Sequence, residues 1–290
     1  MQAAPRVGHK STTDLQGTNF PKDAEGRVYH LVLKAGDIAN RILVVGDPDR
    51  AKLVKGCLDN PNSCFESTSN RGFTTYTGKF HGVPVTIMST GMGYPMMDFA
   101  VREIRAITEG PIAIIRLGSC GTPNKDVAIG TVAVSRKSTS VSINYDGYSI
   151  HSKEPTFKFS LPIAPTLKLH DALLQELSKS NAFPTLEAPD VSADTFYGSQ
   201  GRVDPAFRDE NEYLADEIMR RDPTTASLQM ETYHLYFLSV ICNLRDIHVA
   251  ACSIVLANRK TDEFISMDKK HTIEVLSGQA CLKALVNYQL

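Results

Sequence analysis

The 290-residue sequence lacks an excess of charge of either sign, because 31 Lys and Arg residues stand against 32 Asp and Glu residues. Without an overall basic footprint, the chain is not expected to have a nucleic-acid partner. It also lacks an apolar run of the roughly 18–20 residues that cross a bilayer, and its polar start has no signal-peptide pattern. We therefore expect a cytoplasmic protein with no membrane partner.

Paired cysteine motifs are absent as well. The six cysteines are scattered, and none stands in a Cys-x-x-Cys pair, so a zinc or redox site is not expected. Several of them lie in apolar runs, as reduced core thiols do. Apolar residues make up 42% of the chain and charged residues 22%, which is ordinary for a globular protein.

Apolar segments typical of strands alternate with amphipathic helical patterns along the chain. This alternation predicts an α/β fold, a single domain at 28–290 with a central mixed β-sheet flanked by helices. Residues 1–27 are polar and have no periodicity, which predicts a flexible N-terminal tail. Late in the chain, the pattern predicts an acidic amphipathic helix over 205–221 and a largely apolar helix over 228–244.

The most informative stretch is 113–122, which begins as a run of β-branched residues and suits a strand buried on both faces. Arg116 stands where the apolar run should continue, and the small residues Gly118-Ser119-Cys120-Gly121 follow at once. A buried arginine costs several kcal/mol unless an anion meets it. Small residues let backbone N–H groups approach such an anion. We therefore predict an anion site at the end of this strand.

A second strand ends in Gly46-Asp47-Pro48-Asp49-Arg50, just before a predicted helix. A strand, a glycine, a turn and a helix start present N–H groups and the positive end of the helix dipole to a phosphate. A third strand ends in Gly91-Met92-Gly93, which is not a dinucleotide fingerprint because its third glycine is missing. The pattern favours phosphate over a dinucleotide.

For three other titratable residues, the position alone allows two interpretations. His30 suits either a hydrogen-bonded edge histidine or a ligand group, and Arg71 suits a surface charge as well as an anion contact. Glu231 stands at the head of a buried helix, where it could simply favour the helix dipole.

Four stretches stand in the order seen in the trimeric-type nucleoside phosphorylases and resemble the motifs of that family over about residues 28–288: Val45-Gly46-Asp47-Pro48-x-Arg50, Ile115-Arg116-Leu117-Gly118-Ser119-Cys120-Gly121, Ser192-x-Asp194-Thr195-Phe196-Tyr197 and Met230-Glu231. Within the family, Phe196-Tyr197-x-x-Gln200-x-Arg202 is similar to the uracil-recognition loop of the uridine phosphorylases, in its animal-like form. The resemblance implies reversible phosphorolysis of uridine to uracil and ribose 1-phosphate. Inorganic phosphate would be the co-substrate, with no cofactor.

The resemblance also implies a role for each matched residue, with Arg116, Glu231 and Arg202 as the catalytic set. Phosphate would be held by Gly46, Arg50, Arg116 and Ser119, and by Arg71 of a neighbouring subunit. Ribose would be held by Met230 and Glu231, with His30 reaching its 5′-hydroxyl across the same interface. The base would be held by Phe196, Gln200 and Arg202. Two borrowed residues imply a homodimer as the smallest active unit.

Some positions depart from the family pattern. Gln229 replaces the first glutamate of the usual Glu-Met-Glu, which weakens or changes any contact made there. Gly72 stands where bacterial uridine phosphorylases place a cation-binding glutamate, so no metal is expected. The segment 255–259 lacks the aspartate with which purine phosphorylases protonate the base, which favours pyrimidines. The alternatives are a purine nucleoside phosphorylase or nucleosidase on the same fold, or a non-catalytic nucleoside-binding homologue.

Overall fold

The mixed sheet predicted from the sequence is present in the computed structural model, which describes residues 14–290. Its strands and the surrounding helices follow one another in this order: β1 (Arg41–Val45), α1 (Pro48–Lys55), β2 (Phe65–Thr68), β3 (Thr74–Phe80), β4 (Val83–Ser89), α2 (Tyr94–Arg105), β5 (Ile112–Thr122), β6 (Val132–Ile143), β7 (Phe157–Phe159), α3 (Leu167–Ser178), β8 (Thr185–Ala193), α4 (Leu214–Arg221), β9 (Ser227–Gln229), α5 (Thr232–Ile241), β10 (Ile247–Asn258), β11 (Glu263–Phe264) and α6 (Met267–Asn287).

Strand β5, which carries Arg116, lies at the centre of the sheet. It pairs in parallel with β1 on one side and with β10 on the other, so that Arg116 lies beside Val44 and Ala251. Strand β10 also pairs with β6, β6 with β8, β8 with β9, and β9 returns to β5. These pairings close a ring of five strands that includes β5 itself. Strands β1 to β4 extend the sheet on the other side of β5.

Both faces of the sheet are covered, which explains why β1 is apolar without alternation. Leu43 and Val45 pack into a core beneath α1, α3 and α6. Ile42 and Val44 pack into a second core beneath α2 and α5. The parallel strands β1, β4 and β5 end at one edge, so the loops that follow them meet there, as is usual for ligand sites in open α/β sheets.

Local chemistry fixes the start of α1 at this edge. Asp47 is the N-cap, and its side chain accepts a hydrogen bond from the N–H of Asp49 at 2.8 Å. Pro48 occupies the first helical turn, where its missing N–H costs nothing. The helix therefore starts at Pro48, three residues earlier than the sequence predicts.

The helix predicted over 205–221 is shorter than expected, because α4 begins only at Leu214. Glu210 has a φ of +51°, a left-handed conformation that a right-handed helix cannot include. The side chain of Asn211 donates to the carbonyls of Tyr197, Gly198 and Arg202. The segment before α4 thus supports the preceding loop and is not helical.

The helix predicted over 228–244 also starts later than expected. Residues Ser227–Gln229 form strand β9, which pairs with β8 and meets β5 at Gly121. Helix α5 begins at Thr232, and Glu231 is its N-cap residue. The apolar run 228–244 predicts a single helix because a three-residue strand is too short to show a period of its own.

The predicted tail lies partly outside the described residues, which begin at residue 14. Residues 14–27 contain isolated bridges of Lys22 with Gln16 and with Val28, and Val28 is fully buried. The division at residue 27 stays a prediction. Among the described residues, no helix combines the length and apolar character that crossing a membrane requires.

Candidate active site

A cavity of about 500 Å³ opens at the edge where β1 and β5 end, a size suited to a small organic ligand. Four basic and two acidic side chains line it: Arg50, Arg116, Arg202, Lys270, Asp47 and Glu231. The structure brings together at this cavity nine of the residues expected from the sequence: Gly46, Arg50, Arg116, Ser119, Phe196, Gln200, Arg202, Met230 and Glu231. Their individual roles stay predictions.

Arg116 and Glu231 form a buried ion pair in the middle of the cavity wall. The guanidinium Nη2 donates to the Glu231 Oε2, and both side chains are about nineteen-twentieths buried. Arg116 Nη1 also donates to Ser253 Oγ at 3.2 Å. The other Glu231 oxygen accepts from the N–H of Gly93 at 2.7 Å. The buried charge that was predicted to need an anion thus has one inside the protein.

Gly118 is required by the conformation of Arg116. The guanidinium folds back over its own strand, so a Cβ atom at position 118 would lie only 2.1 Å from Arg116 Nη1. Such a distance is far inside van der Waals contact, and any larger residue would push the arginine away from Glu231. The small residue beside the buried arginine therefore makes room for its side chain.

Arg50 is held from behind by α6. Its Nε donates to Glu274 Oε1 at 2.8 Å, and its Nη1 donates to the carbonyl of Leu117 at 3.2 Å. The same Glu274 oxygen lies 3.6 Å from Lys270 Nζ. Glu274 is only 1% exposed. One buried carboxylate thus places two cations on the cavity wall, close to the start of α1.

The far end of the cavity, which holds the loop 196–202, carries positive charge. The guanidinium of Arg202 lies 4.0 Å from the centre of the Phe196 ring, a cation–π distance. Its buried Nε has no hydrogen-bond partner among residues 14–290. Burial lowers the pKa of Arg202 from its ordinary value. In the part of the chain that the structure describes, no carboxylate therefore neutralises this cation.

Arg259 lies beside this loop but does not line the cavity. It donates to the carbonyls of Gln200 and Gly201, and so ties the loop to the end of β10. Burial, together with the nearby charge of Arg202, lowers the pKa of Arg259. The sequence places Arg259 at the end of a strand, but nothing there indicates which loop it contacts.

His30 and Arg71 do not line this cavity. The N–H groups of His30 and Leu31 donate to the buried Glu103 carboxylate, and His30 Nδ1 lies 2.7 Å from Glu103 Oε1. Arg71 Nη2 bonds to the hydroxyl of Tyr29 at 3.2 Å. The two residues share Tyr29 as a neighbour, so they form one cluster on the subunit. Their expected role at the cavity of another subunit stays a prediction.

Five residues that contact the predicted site residues, or the partners of those residues, are not indicated by the sequence: Glu103, Asp190, Arg259, Lys270 and Glu274. Lys270 lies in the first turn of α6. Its spacing of four residues from Glu274 is the one local signal that could have pointed to this pair. The remaining partners come from distant parts of the chain and leave no local pattern.

The tight fit at Gly118 predicts that Gly118→Ala will weaken binding of inorganic phosphate roughly tenfold or more, because a charged hydrogen bond is worth about 1.5–3 kcal/mol. Titration calorimetry with phosphate measures this loss. In an Arg116→Ala background there is no guanidinium to displace, so adding Gly118→Ala should cost nothing further. Unchanged phosphate affinity in Gly118→Ala would contradict this account of the glycine.

Comparison with known proteins gives a family for this architecture. Residues 40–287 match the family described as the phosphorylase superfamily. The uridine phosphorylase of Thermococcus kodakarensis is 31% identical over 259 residues, which are 89% of this chain and 87% of that protein. A DeoD-type purine nucleoside phosphorylase of Streptococcus gordonii is 26% identical over 235 residues, which are 80% of this chain and 88% of that protein.

A solved structure from a study of two uridine phosphorylases of the oomycete Phytophthora capsici superposes with a TM-score of 0.91 and 35% identity. The alignment covers 95% of this chain and all of that one. The expected fold and the family resemblance are both confirmed by these matches. The family match alone spans well over half of the residues, and so this chain belongs to the phosphorylase superfamily.

Proposed function

We propose that this chain is a uridine phosphorylase, a pentosyltransferase of the cytoplasm that converts uridine and inorganic phosphate to uracil and ribose 1-phosphate. The observation that carries the proposal is the base end of the cavity, where Arg202 lines the wall together with Gln200 and has no carboxylate partner among residues 14–290. The Thermococcus relative and the Phytophthora structure, both uridine phosphorylases, support it. Phosphate itself supplies the nucleophile, so neither a metal nor another cofactor is needed.

The phosphate end of the cavity suits a tetrahedral dianion. Gly46 lies directly before α1, where backbone N–H groups and the helix dipole favour negative charge. Arg50 and Arg116 offer guanidinium donors, which match phosphate oxygens in pairs, and Ser119 adds a hydroxyl. Lys270 adds a further positive charge beside Arg50. Their work in the reaction is to position the nucleophile beneath the sugar.

Glu231 holds the sugar at the middle of the cavity. Its carboxylate is already oriented by Arg116 and by the N–H of Gly93, so it can accept from the 2′- and 3′-hydroxyls without reorganising. Met230 lines the same wall and packs against the ribose. As the glycosidic bond breaks, the sugar gains oxocarbenium character. The phosphate dianion beneath it stabilises that cation and then attacks it.

The base end acts on the leaving group. Gln200 pairs with a uracil carbonyl and N3–H, and Arg202 pairs with the second carbonyl, while Phe196 packs on the ring. Uracil becomes more negative as the bond breaks, so its contacts with the unneutralised Arg202 strengthen on the way to the transition state. Such a difference in binding is what accelerates the reaction.

A purine substrate fits the cavity less well. The acidic residues that line it are Asp47, which caps α1, and Glu231, and neither lies in the base loop. At the end of the last long strand stands Asn258, whose side-chain nitrogen donates to the carbonyls of Asn124 and Val127. The purine phosphorylase relatives keep this alternative open to the substrate test below.

We also propose a homodimer in which His30 and Arg71 complete the cavity of the partner. Arg71 would reach the phosphate, and His30 would reach the 5′-hydroxyl of the ribose. Glu103 fixes the ring of His30 through Nδ1 at 2.7 Å, so the Nε2 atom remains available to a substrate. Support for this sharing comes from the shared location of the two residues beside Tyr29, away from their own cavity.

Arg202→Ala should lower kcat/KM for uridine roughly 10²-fold or more, because it removes a donor that strengthens in the transition state. Steady-state assays of uracil release measure the effect. Arg208→Ala is the matched control, since Arg208 lies in the same segment with its side chain 69% exposed. An unchanged kcat/KM in Arg202→Ala would remove the proposed role of that residue.

The function itself is tested by the wild-type enzyme on uridine, thymidine, inosine and adenosine, each with and without phosphate. We expect uridine to be the best substrate and turnover to require phosphate. Faster turnover of inosine would identify a purine enzyme, and cleavage without phosphate would identify a nucleosidase. Tight uridine binding with no turnover at high enzyme concentration would identify a non-catalytic homologue.

Sharing of the site predicts complementation between two inactive variants. Arg71→Ala and Arg116→Ala should each have little activity alone. Mixed subunits, dissociated and reassembled, should regain about a quarter of wild-type activity, because half of the dimers are mixed and each mixed dimer has one intact site. A fully active Arg71→Ala, or no gain on mixing, would contradict the shared site.

A further inference from the structure

Asp190 is a buried carboxylate to which the proposed mechanism gives no part. It lies on β8, is 1% exposed, and does not line the cavity. Its Oδ1 accepts from Ser227 Oγ at 2.6 Å. Its Oδ2 accepts from Ser138 Oγ at 2.5 Å and from Gln229 Nε2 at 2.7 Å. A carboxylate this buried is costly unless it is bonded in this way, so its retention calls for a role.

Gln229 joins this carboxylate to the cavity. Its Oε1 accepts from the N–H of Glu231 at 2.6 Å and from the N–H of Thr232 at 3.1 Å. Its Nε2 donates to Asp190 Oδ2 and to Ser192 Oγ. The two N–H donors fix which end of the amide is oxygen, and the carboxylate fixes which end is nitrogen. An amide satisfies both sides at once without binding an extra proton.

The N–H groups that Gln229 binds belong to the residues that enter α5. Glu231 is the N-cap of that helix and has no side-chain capping bond, so Gln229 supplies acceptors to the free N–H groups at this end. Ser192 Oγ accepts from the next N–H, that of Tyr233, at 2.8 Å. The backbone that carries Glu231 is therefore bonded at three successive positions to a network centred on Asp190.

We propose that Asp190 and Gln229 form a positioning pair that sets the backbone of Glu231, and so places its carboxylate against Arg116 and the ribose hydroxyls. The proposal rests on the proposed function of Glu231 as the ribose-binding residue. Asp190 does not line the cavity, and Gln229, which does, has both ends of its amide bonded within the protein. The pair acts through the backbone, and a small displacement of Glu231 is enough to reduce the rate strongly.

The charged groups around Asp190 determine how a second carboxyl group, introduced at position 229, would ionise. Burial raises the pKa of Asp190, while hydroxyl and amide hydrogen bonds and the charge of Arg116 oppose this rise. Four titratable or charged groups face Asp190 from the neighbouring elements: Arg116, Tyr94, Cys120 and Tyr236. Burial raises the pKa of the last three, so Arg116 is the charged group among them.

Gln229→Glu tests the pair because it replaces the donor to Asp190 by a second acceptor. Two buried carboxyl groups in contact must share a proton, so the folded variant binds a proton that the unfolded chain releases. Its Tm should therefore fall, relative to wild type, as pH rises from about 5 to 8. Its kcat/KM for uridine should be roughly 10²-fold lower at the upper end of that range.

Asp190→Asn in the same chain should rescue both effects, because its amide donates to the new carboxylate and restores a donor and an acceptor at the contact. We expect the double variant to recover to within about threefold of wild type. Asp190→Asn alone should have a small effect, since the new amide can still turn its oxygen toward Gln229. Gln175→Glu, an exposed position on α3, controls for an added negative charge.

The preference for uridine over 2′-deoxyuridine separates positioning from general loss of stability. A displaced Glu231 no longer reads the 2′-hydroxyl, so the ratio of the two kcat/KM values should fall toward one in Gln229→Glu and return in the double variant. A wild-type ratio and pH profile in Gln229→Glu would overturn the proposal, as would a double variant no better than the single one. If Gln229→Glu fails to fold, the folding of the double variant and its ratio of kcat/KM for uridine to that for 2′-deoxyuridine decide whether the proposal holds.

The dependence of Tm on pH does not require turnover. If the wild-type enzyme cleaves no nucleoside, the proposed function fails, whereas the melting data still show whether Asp190 and Gln229 are paired. If uridine is turned over but the double variant shows no rescue of Tm or kcat/KM, the pairing fails and the proposed function stands.

Discussion

The buried ion pair between Arg116 and Glu231 is the contact on which the cavity depends. Removing either partner would leave an unpaired charge in the interior, at a cost of about 3–5 kcal/mol. Three nearby features support the pair: the central position of β5 between β1 and β10, the lack of a side chain at Gly118, and the start of α5 next to Glu231. In the proposed reaction, the pair also joins the phosphate end of the cavity to the sugar.

Charge is distributed along the cavity in a way that matches the proposed reaction. At one end, Arg50 and Lys270 share the buried Glu274, so their positive charge is partly balanced before a dianion arrives. At the other end, Arg202 has no such carboxylate partner within residues 14–290. The first arrangement favours reversible binding of phosphate, and the second favours a base that becomes negative as its bond breaks. In the proposed reaction, this difference between the two ends determines which end binds phosphate and which end binds the base.

Much of the fold and half of the cavity could be predicted from the sequence, because their signals are local. The apolar run interrupted by Arg116, and Gly46 before a capped helix, are patterns within ten residues. The start of α5 could not be predicted, since β9 exists only through its pairing with β8 and Gly121. The contact of Glu274 with Arg50 and that of Asp190 with Gln229 could not be predicted either. Those contacts join residues that are distant in the chain and so have no period or spacing.

The assignment of phosphate to one end of the cavity and the base to the other is tested most directly by a crystal structure of the protein with inorganic phosphate and uracil bound. We predict phosphate within hydrogen-bond distance of Arg50, Arg116 and the backbone after Gly46, and uracil against Phe196 with its edge on Gln200 and Arg202. Phosphate bound instead beside Arg202, or uracil bound at the start of α1, would contradict the account.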